Sequence, residues 1–464
     1  MSRDIALMPA TTLLASYRSK QLSPVEATRA ALDRIAALNG KLNAYCLVDE
    51  AGALAAARES EARWQRGAPV GLLDGVTASI KDLLLTTGWP TLRGSNVVSA
   101  DQPWDEDAPA VARLREQGAI LLGKTTTPEF GWKGVTDCPR TGITRNPWNA
   151  DLTPGGSSGG AAVAAATGMG ALHVGTDGGG SIRIPAGFTG IFGLKQSYGR
   201  VPAYPLSPFG TLAHIGPITR TVADGALMLT VMSLPDARDW YAMVPDGRNY
   251  LDRLEGGIQG LRIAFSPTLG GAKVDPEVAI LIAQAAQVFA DLGAKVDEAD
   301  PGLGDSYETF ARHWFAGAAN ALRAYGPEPR QQMDPGLVEI AAQGAALPLL
   351  DYLAAVKERE QMGVRMNLFH KTWDLLLTPT LPIAAFAAGR ELPAGHPGTR
   401  WMAWAPFTYP FNLTRQPAAT VPCGFTAAGL PVGLQIVGPS YADALVLRAA
   451  RAFETAQPFR MPEI

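Results

Sequence analysis

Apolar residues recur at helical spacing through the first part of the chain. Ser23 is followed by Pro24 and, three residues on, by Glu26, which supplies a capping residue, a proline suited to the first helical position and an early acid. A helix is therefore predicted to begin there, and an alanine-rich stretch over 50–66 predicts another. We expect the N-terminal part, 1–66, to be helical and packed on the rest of the chain.

From residue 75 onward, short apolar runs alternate with helical stretches. Buried strands are predicted for the runs 75–80, 119–122, 171–174, 261–265, 375–377 and 432–437. Residues 275–293 carry a helical pattern that ends at Gly293, directly before a further strand, which is a βαβ arrangement. The alternation predicts an α/β protein with a single α/β/α domain over 1–464. Its large central sheet is expected to be mixed, mostly parallel and covered by helices.

Composition narrows the class of protein. The chain carries 40 Lys and Arg against 43 Asp and Glu, a balance that favours neither nucleic acid nor a membrane surface as a partner. Apolar residues form 47 % of the chain, enough for a large core. The three cysteines are widely spaced, so we expect no disulfide framework and a reducing, cytoplasmic location. No CxxC motif occurs and no two histidines lie within helix-turn distance of each other, so we expect no metal site.

Two uncharged stretches reach the length of about 18 residues that a membrane helix needs. One, 416–442, is interrupted by four prolines and cannot form a single helix. The other, 159–176, is rich in alanine and glycine and is predicted to begin with a tightly packed, buried helix. Neither stretch indicates a membrane span.

The most distinctive stretches are GGSSGG at 155–160 and GTDGGGSIRIP at 175–185. Phosphate binding is disfavoured, because neither ends in GK[ST] and neither gives GxGxxG after a strand. GGSSGG also matches the nucleophile-elbow pattern GxSxG with Ser157 or Ser158 as nucleophile, but the proline-rich residues 146–154 before it cannot form a central strand. Turns and caps would explain either loop alone. They do not explain two such loops around one helix, with Lys81 ending an earlier strand.

Several stretches together resemble the amidase signature family. They are GVTASIKD at 75–82, GGSSGG at 155–160, GTDGGGSIRIPA at 175–186, GLKQSYGRVP at 193–202, IGPITRTVAD at 215–224, LLTPTLP at 376–382 and PFNLTRQPAATVPCGF at 410–425. The resemblance covers nearly the whole chain and identifies 75–225 as the signature core. It implies an enzyme that hydrolyses an amide C–N bond without a cofactor.

The resemblance also implies roles for individual residues. Ser181 corresponds to the nucleophile, Ser157 to a bridging serine after a cis peptide bond, and Lys81 to the base. The oxyanion hole would be formed by the backbone N–H groups of Gly178, Gly179, Gly180 and Ser181. Relatives often have Thr or Ile at the position of Gly178.

Elementary chemistry is consistent with these roles. A serine hydroxyl is a weak nucleophile and needs an adjacent base. Lys81 can be that base only if it is neutral, and burial at a strand end would lower its pKa. Asp82 would oppose that shift if it points at the amine. His173, on the strand before Ser181, is expected to be a core residue.

Other site residues carry two interpretations. Asp177 and Arg183 resemble an ion pair that fixes the nucleophile loop, although an ordinary structural salt bridge is equally consistent. Ser158 either hydrogen-bonds the catalytic groups or caps the following helix. Gly131 and Trp132 lie in a stretch that lines the acyl pocket of relatives, and Trp132 fits a core position equally well.

The variable region 307–352 is predicted to shape the substrate pocket. Aromatic and leucine side chains there and in a later loop predict a bulky or aryl amide, namely Phe310, Trp314, Phe315, Leu322, Tyr325, Trp401, Trp404, Phe407 and Tyr409. The same acyl-transfer chemistry would serve esters and carbamates, as in a urethanase. The expected partners are a small amide and water.

Two alternatives stay open. The chain could be the A subunit of a tRNA-dependent glutamine amidotransferase. Such subunits have a tyrosine-rich stretch where residues 347–354 of this chain hold one tyrosine. This difference favours a stand-alone hydrolase. A more distant alternative is an esterase that pairs Ser158 with one of the five histidines.

Overall fold

A computed structural model describes residues 2–464 and contains one sheet of eleven strands beside a small two-stranded hairpin. The strands are β1 Tyr45–Val48, β2 Thr77–Lys81, β3 Ile120–Thr125, β4 Asp137–Cys138, β5 Gly142–Ile143, β6 Leu172–Asp177, β7 Phe192–Lys195, β8 His214–Thr219, β9 Arg262–Phe265, β10 Lys295–Glu298, β11 Leu375–Pro379, β12 Ala418–Phe425 and β13 Pro431–Val437. The order in the large sheet is β1-β3-β2-β6-β8-β7-β12-β13-β11-β9-β10, and β4 and β5 form the hairpin. Every strand expected from the sequence lies within two or three residues of its predicted bounds.

Helices surround the sheet. They are α1 Ser2–Leu7, α2 Ala10–Arg18, α3 Pro24–Leu42, α4 Glu50–Gln65, α5 Pro109–Glu116, α6 Gly159–Thr167, α7 Arg183–Thr189, α8 Val222–Met232, α9 Pro276–Asp291, α10 Tyr307–Ala321, α11 Pro327–Arg330, α12 Pro335–Ala345, α13 Leu349–Phe369, α14 Pro410–Leu413 and α15 Asp443–Ala456. Helix α3 begins as predicted, because the Ser23 hydroxyl accepts a hydrogen bond from the Glu26 N–H while the Glu26 carboxylate accepts one from the Ser23 N–H.

Both faces of the sheet are buried along its central strands, whereas the edge strand β10 is largely exposed. Along β11, Leu375 and Leu377 belong to one apolar cluster and Leu376 belongs to another, as the alternation of side chains along a strand requires. Helices α5, α8, α9 and α15 contribute to the first cluster. Helices α6 and α7 contribute to clusters elsewhere. The α/β/α fold with a large mixed sheet is confirmed.

The expectation of a mostly parallel sheet is wrong in the centre of the molecule. Six of the ten neighbouring strand pairs are antiparallel, and the run from β6 to β11 is antiparallel throughout. Strands buried on both faces lose the alternation that usually marks antiparallel pairing, so their sequences resemble parallel strands. The link 426–430 is also far too short for a parallel crossover, and it closes β12 and β13 into a hairpin.

Helix α6 is the buried helix that the sequence predicts. All nine of its residues are buried, and a Cβ atom at Gly160 would lie 2.5 Å from the backbone of Ala44 and of Thr126.

Within the described residues no single helix is long and apolar enough to cross a membrane. Only α12 and α13 taken together, bent by 99° at the break between them, reach that length and composition.

The sheet brings the two serine loops and the lysine to one edge. Strands β2 and β6 are parallel neighbours, with Ile80 opposite Val174, so Lys81 and Asp177 end them on the same side. The nucleophile loop follows β6 directly. Helix α6 packs on β6 and carries the GGSSGG loop at its N-terminal end. Loops beyond the carboxyl ends of strands are the common place for sites in such sheets.

Candidate active site

Lys81 is the last residue of β2, and its side chain is fully buried. Its amine nitrogen Nζ lies 2.7 Å from Ser157 Oγ, 2.8 Å from Ser158 Oγ and 2.9 Å from Thr176 Oγ1. The amine is therefore surrounded by three hydroxyl groups from two different segments of the chain. Such a setting solvates an amine by hydrogen bonds without placing a counter-charge in contact with it.

Burial lowers the pKa of the Lys81 amine well below its ordinary value, and the Asp177 carboxylate opposes this shift. The condition under which Asp82 would oppose the shift is not met. Asp82 turns away and accepts hydrogen bonds from the backbone N–H groups of Leu92 at 3.1 Å and Gly94 at 3.2 Å. The environment of Lys81 thus favours a neutral amine.

Ser157 lies in the GGSSGG loop, and the peptide bond between Gly156 and Ser157 is cis, as the resemblance implies. Only glycine fits at position 156, because a Cβ atom there would lie 2.5 Å from the carbonyl of Val135. The loop is therefore pressed against neighbouring backbone, which explains its glycines by packing. This arrangement presents the Ser157 hydroxyl to Lys81 on one side and to a cavity on the other.

Ser157 and Ser181 both line one cavity of about 290 Å³. Gly131 and Gly178 also line it, as the sequence predicts for the pocket and the oxyanion loop. Most of the remaining wall is apolar and includes Leu83, Leu85, Phe130, Phe209, Ile215 and Trp314. A serine pair in an apolar cavity, with a buried amine behind one of the serines, is suited to acyl transfer from an apolar substrate.

The segments that form much of this wall were missed from the sequence. Residues 83–85 follow β2, and residues 203–210 follow the GLKQSYGRVP stretch. Of the described residues in the region 307–352, only Trp314 lines this cavity, and Tyr325 lines an adjoining one. Trp314 thus has the predicted place in the wall of the cavity, and the rest of the pocket prediction for that region stays a prediction. Helical spacing turns Phe310 toward the rings of Trp401 and Tyr409 in the core instead.

Trp132 is a core residue and does not line the cavity, so its predicted role in substrate binding is wrong. Its side chain is 1 % exposed, and a Cβ atom at Gly336 would lie 2.6 Å from its ring. Its backbone carbonyl accepts a hydrogen bond from Trp314 Nε1 at 2.9 Å, which steadies one wall of the cavity. The turn Glu129–Gly131 directs Gly131 to the cavity and the next side chain away from it.

The loop before Ser181 leaves three backbone donors without a partner in residues 2–464: the N–H groups of Gly178, Gly179 and Ser181. The N–H of Gly180 is different, because it donates to Asp177 Oδ1 at 2.8 Å. The prediction that Gly180 supplies an oxyanion donor is therefore wrong for this geometry. The N–H groups of Gly178, Gly179 and Ser181 follow one another closely along the loop and stay available as oxyanion donors.

Asp177 and Arg183 form a fully buried ion pair, with Oδ1 3.0 Å from Nη2 and Oδ2 3.0 Å from Nε. Burial raises the pKa of the Asp177 carboxyl, but the charge and hydrogen bonds of Arg183, together with Lys195 and Asn412, bring it below its ordinary value. The charged carboxylate holds the Gly180 N–H and thereby braces the loop. This favours the loop-fixing interpretation of the pair.

Ser158 makes no cap to α6. Its hydroxyl donates to the carbonyl of Thr176 at 3.1 Å and accepts from the Lys81 amine, which favours the interpretation that it supports the base. The segment 146–154 before the serine loop forms no strand, so the structure contradicts a nucleophile elbow.

The histidines do not complete a second catalytic group. No histidine in the described part of the chain contacts Ser158, which removes the esterase alternative. His173 is the predicted core residue: its Nδ1 lies 2.7 Å from Ser79 Oγ, and burial lowers its pKa to about 3. Residues 2–464 also hold no group of three or more His, Cys, Asp or Glu that could bind a metal.

Comparisons with known proteins found relatives over nearly the whole chain. The family model described as Amidase matches residues 26–447. The chain is 40 % identical to an acylamidase of Rhodococcus erythropolis over 98 % of this chain and 97 % of the relative. It is 37 % identical to the A subunit of the glutamyl-tRNA(Gln) amidotransferase of Myxococcus xanthus over 96 % of each. A crystal structure of a bacterial aryl acylamidase superposes with a TM-score of 0.90 at 33 % identity, covering 97 % of this chain and 96 % of that one.

Proposed function

The chain belongs to the amidase signature family and is a hydrolase of amide C–N bonds, and from that premise we propose that it is a stand-alone amidase that forms an acyl-enzyme on Ser181. The observation that carries the proposal is the distance of 2.7 Å between Lys81 Nζ and Ser157 Oγ, in a cavity that Ser157 shares with Ser181. Bulky or aryl amides are its proposed substrates.

The three contacts of Lys81 can accommodate a neutral amine, which has two N–H groups and one lone pair. Ser158 accepts one N–H, because its own hydrogen is donated to the Thr176 carbonyl. The Thr176 hydroxyl accepts the second. In the proposed neutral state the remaining contact, 2.7 Å to Ser157 Oγ, is the one in which the Ser157 hydroxyl donates its hydrogen to the lone pair. Ser157 is thereby left able to accept a proton from Ser181.

In the proposed reaction, the Ser181 hydroxyl attacks the amide carbon while its proton moves to Ser157, whose own proton moves to Lys81. The resulting oxyanion is stabilised by the N–H groups of Gly178, Gly179 and Ser181. Collapse breaks the C–N bond, and the departing nitrogen takes a proton from Ser157, which Lys81 replenishes. Water then attacks the Ser181 ester by the same relay and releases the acid.

The cavity supports an apolar substrate. Leucine and aromatic side chains form most of its wall, and burying an aryl group against them removes apolar surface from water. The relative from Rhodococcus erythropolis is an acylamidase, and a similar solved structure is an aryl acylamidase. Esters and carbamates present the same carbonyl to Ser181, so we extend the proposal to slower cleavage of aryl carbamates.

The alternative function is that of the A subunit of a glutamine-dependent amidotransferase. The 37 % identity to such a subunit favours this alternative. We expect the purified chain alone to release nitroaniline from 4-nitroacetanilide and to release no ammonia from glutamine. The measurement is absorbance for the first reaction and an ammonia assay for the second. If the anilide stayed intact and glutaminase activity appeared only after partner proteins were added, the chain would be an amidotransferase subunit and not a stand-alone amidase.

Leu206 offers a clean test of the pocket, because it lines the cavity while 45 % of it is exposed. Leu206→Ala is expected to raise KM for an anilide about 3- to 10-fold with little change in thermal stability, since it removes apolar contact with the substrate but little core packing. KM for acetamide should change much less. The exposed Leu349, which lies outside this wall, provides the matched control Leu349→Ala. Equal effects on both substrates would place Leu206 outside the aryl subsite.

A further inference from the structure

One peptide unit of the nucleophile loop is held at both of its polar atoms. The carbonyl of Gly179 accepts a hydrogen bond from Thr408 Oγ1 at 2.7 Å, and the N–H of Gly180 donates to Asp177 Oδ1 at 2.8 Å. This carbonyl and this N–H belong to the same planar peptide group, so the two bonds together fix the orientation of its plane. Thr408 lies 229 residues along the chain from the glycine that it contacts.

The held peptide separates two free donors. The peptide before it carries the N–H of Gly179, and the peptide after it carries the N–H of Ser181. Neither N–H has a partner within the described chain. The central plane includes the Cα atoms of Gly179 and Gly180, to which the two neighbouring peptides are attached. The two hydrogen bonds that hold this plane therefore fix the points from which both free donors extend.

Thr408 is itself rigidly placed. It is fully buried, and its carbonyl accepts a hydrogen bond from Arg183 Nη1 at 2.8 Å. A Cβ atom at Gly180 would lie 2.4 Å from Thr408 Oγ1, so the loop is in direct packing contact with it. On the other side, Asn412 donates to the carbonyl and to Oδ1 of Asp177, both at 2.9 Å. The segment around Thr408 thus holds both bonds of the central peptide.

We propose that Thr408 is a positioning residue, whose hydroxyl orients the backbone donors that stabilise the oxyanion formed at Ser181. The inference builds on the proposed acyl-enzyme mechanism and adds to it a residue outside the serine loops. Preorganised donors act on the charge that develops in the transition state, so their loss lowers kcat more than it changes substrate binding.

The test compares Thr408→Val, which keeps the shape but lacks the donor, with Thr408→Ser, which keeps the hydroxyl. Thr408→Val is expected to lower kcat for 4-nitroacetanilide about 10- to 100-fold with KM nearly unchanged, while Thr408→Ser stays within about 3-fold of the native enzyme. An aryl boronic acid, which forms a tetrahedral adduct on Ser181, should bind the valine variant weaker by a similar factor. Binding of a non-hydrolysable aryl ketoxime, a ground-state ligand, should not change.

The matched control is Thr414→Val, in the same segment, whose hydroxyl donates to the Pro410 carbonyl at 3.0 Å. It should retain the native kcat. Native kcat in Thr408→Val, or equal losses in Thr408→Val and Thr408→Ser, would overturn the positioning role. So would equal weakening of the boronic acid and of the ketoxime. Failure of the proposed function would instead appear in the native enzyme, as no anilide turnover and no boronic acid binding.

Discussion

Replacing Ser181 with alanine is expected to lower kcat for 4-nitroacetanilide by about 10⁵-fold or more, because it removes the proposed nucleophile, which shares the cavity with Ser157 and ends the loop that carries the free N–H donors. The change removes a single oxygen from a residue that is only 4 % exposed, so the fold should persist. Initial rates measure the loss, and circular dichroism with a thermal melt verifies that the variant is folded.

The matched control for this experiment is Ser158→Ala. Ser158 accepts a hydrogen bond from Lys81 and has no contact with a histidine among the described residues, so we expect a loss of about 10-fold only. A sulfonyl fluoride should label Ser181 in the native enzyme and in the control. An inactive Ser158→Ala variant beside an active Ser181→Ala variant would exchange the two roles.

Replacing Lys81 with methionine is expected to lower kcat/KM for 4-nitroacetanilide by about 10³- to 10⁴-fold. Burial lowers the pKa of the Lys81 amine, and the amine acts as base only in its neutral form. Activity of the native enzyme should therefore be lost as the pH falls through this lowered pKa and should reach a plateau above it. The measurement is the pH dependence of kcat/KM for the native enzyme and for Lys81→Met.

A matched pair of substrates separates the two tasks of the relay. 4-Nitroacetanilide and 4-nitrophenyl acetate carry the same acyl group, but only the amide needs its leaving group protonated. Lys81→Met should therefore slow the anilide more than the ester, and it should abolish the acidic limb of the profile. Equal losses on both substrates, with that limb unchanged, would make Lys81 a structural residue and would require another base.

Much of the candidate site was within reach of the sequence, because its parts are local. Lys81 ends an apolar strand, and the GGSSGG loop carries a glycine at 156 where a Cβ atom would collide with backbone. Such constraints act over a few residues and leave a readable pattern. The start of α3 at the Ser23 capping box is predictable for the same reason.

Other features depend on partners far away in the chain. Nothing near Gly180 in the sequence shows that its N–H is taken by a carboxylate, or that the adjoining carbonyl is held by Thr408. The direction of Asp82 is equally invisible, because it is set by the backbone of Leu92 and Gly94. Hydrogen-bond partners of buried polar groups are decided by the folded surroundings.

The sequence by itself determined the elements and the α/β/α class, since periodicity is a property of the chain. Its motifs carry the resemblance to the family, and that resemblance implies the three residues proposed as nucleophile, relay and base. Only the tertiary structure decided the direction of the central strands, the walls of the cavity and which loop N–H groups remain free. Those features arise when segments distant in sequence pack together. An apolar residue such as Trp132 or Trp314 carries the same preference for burial, and only the packing decides whether it faces the core or the substrate.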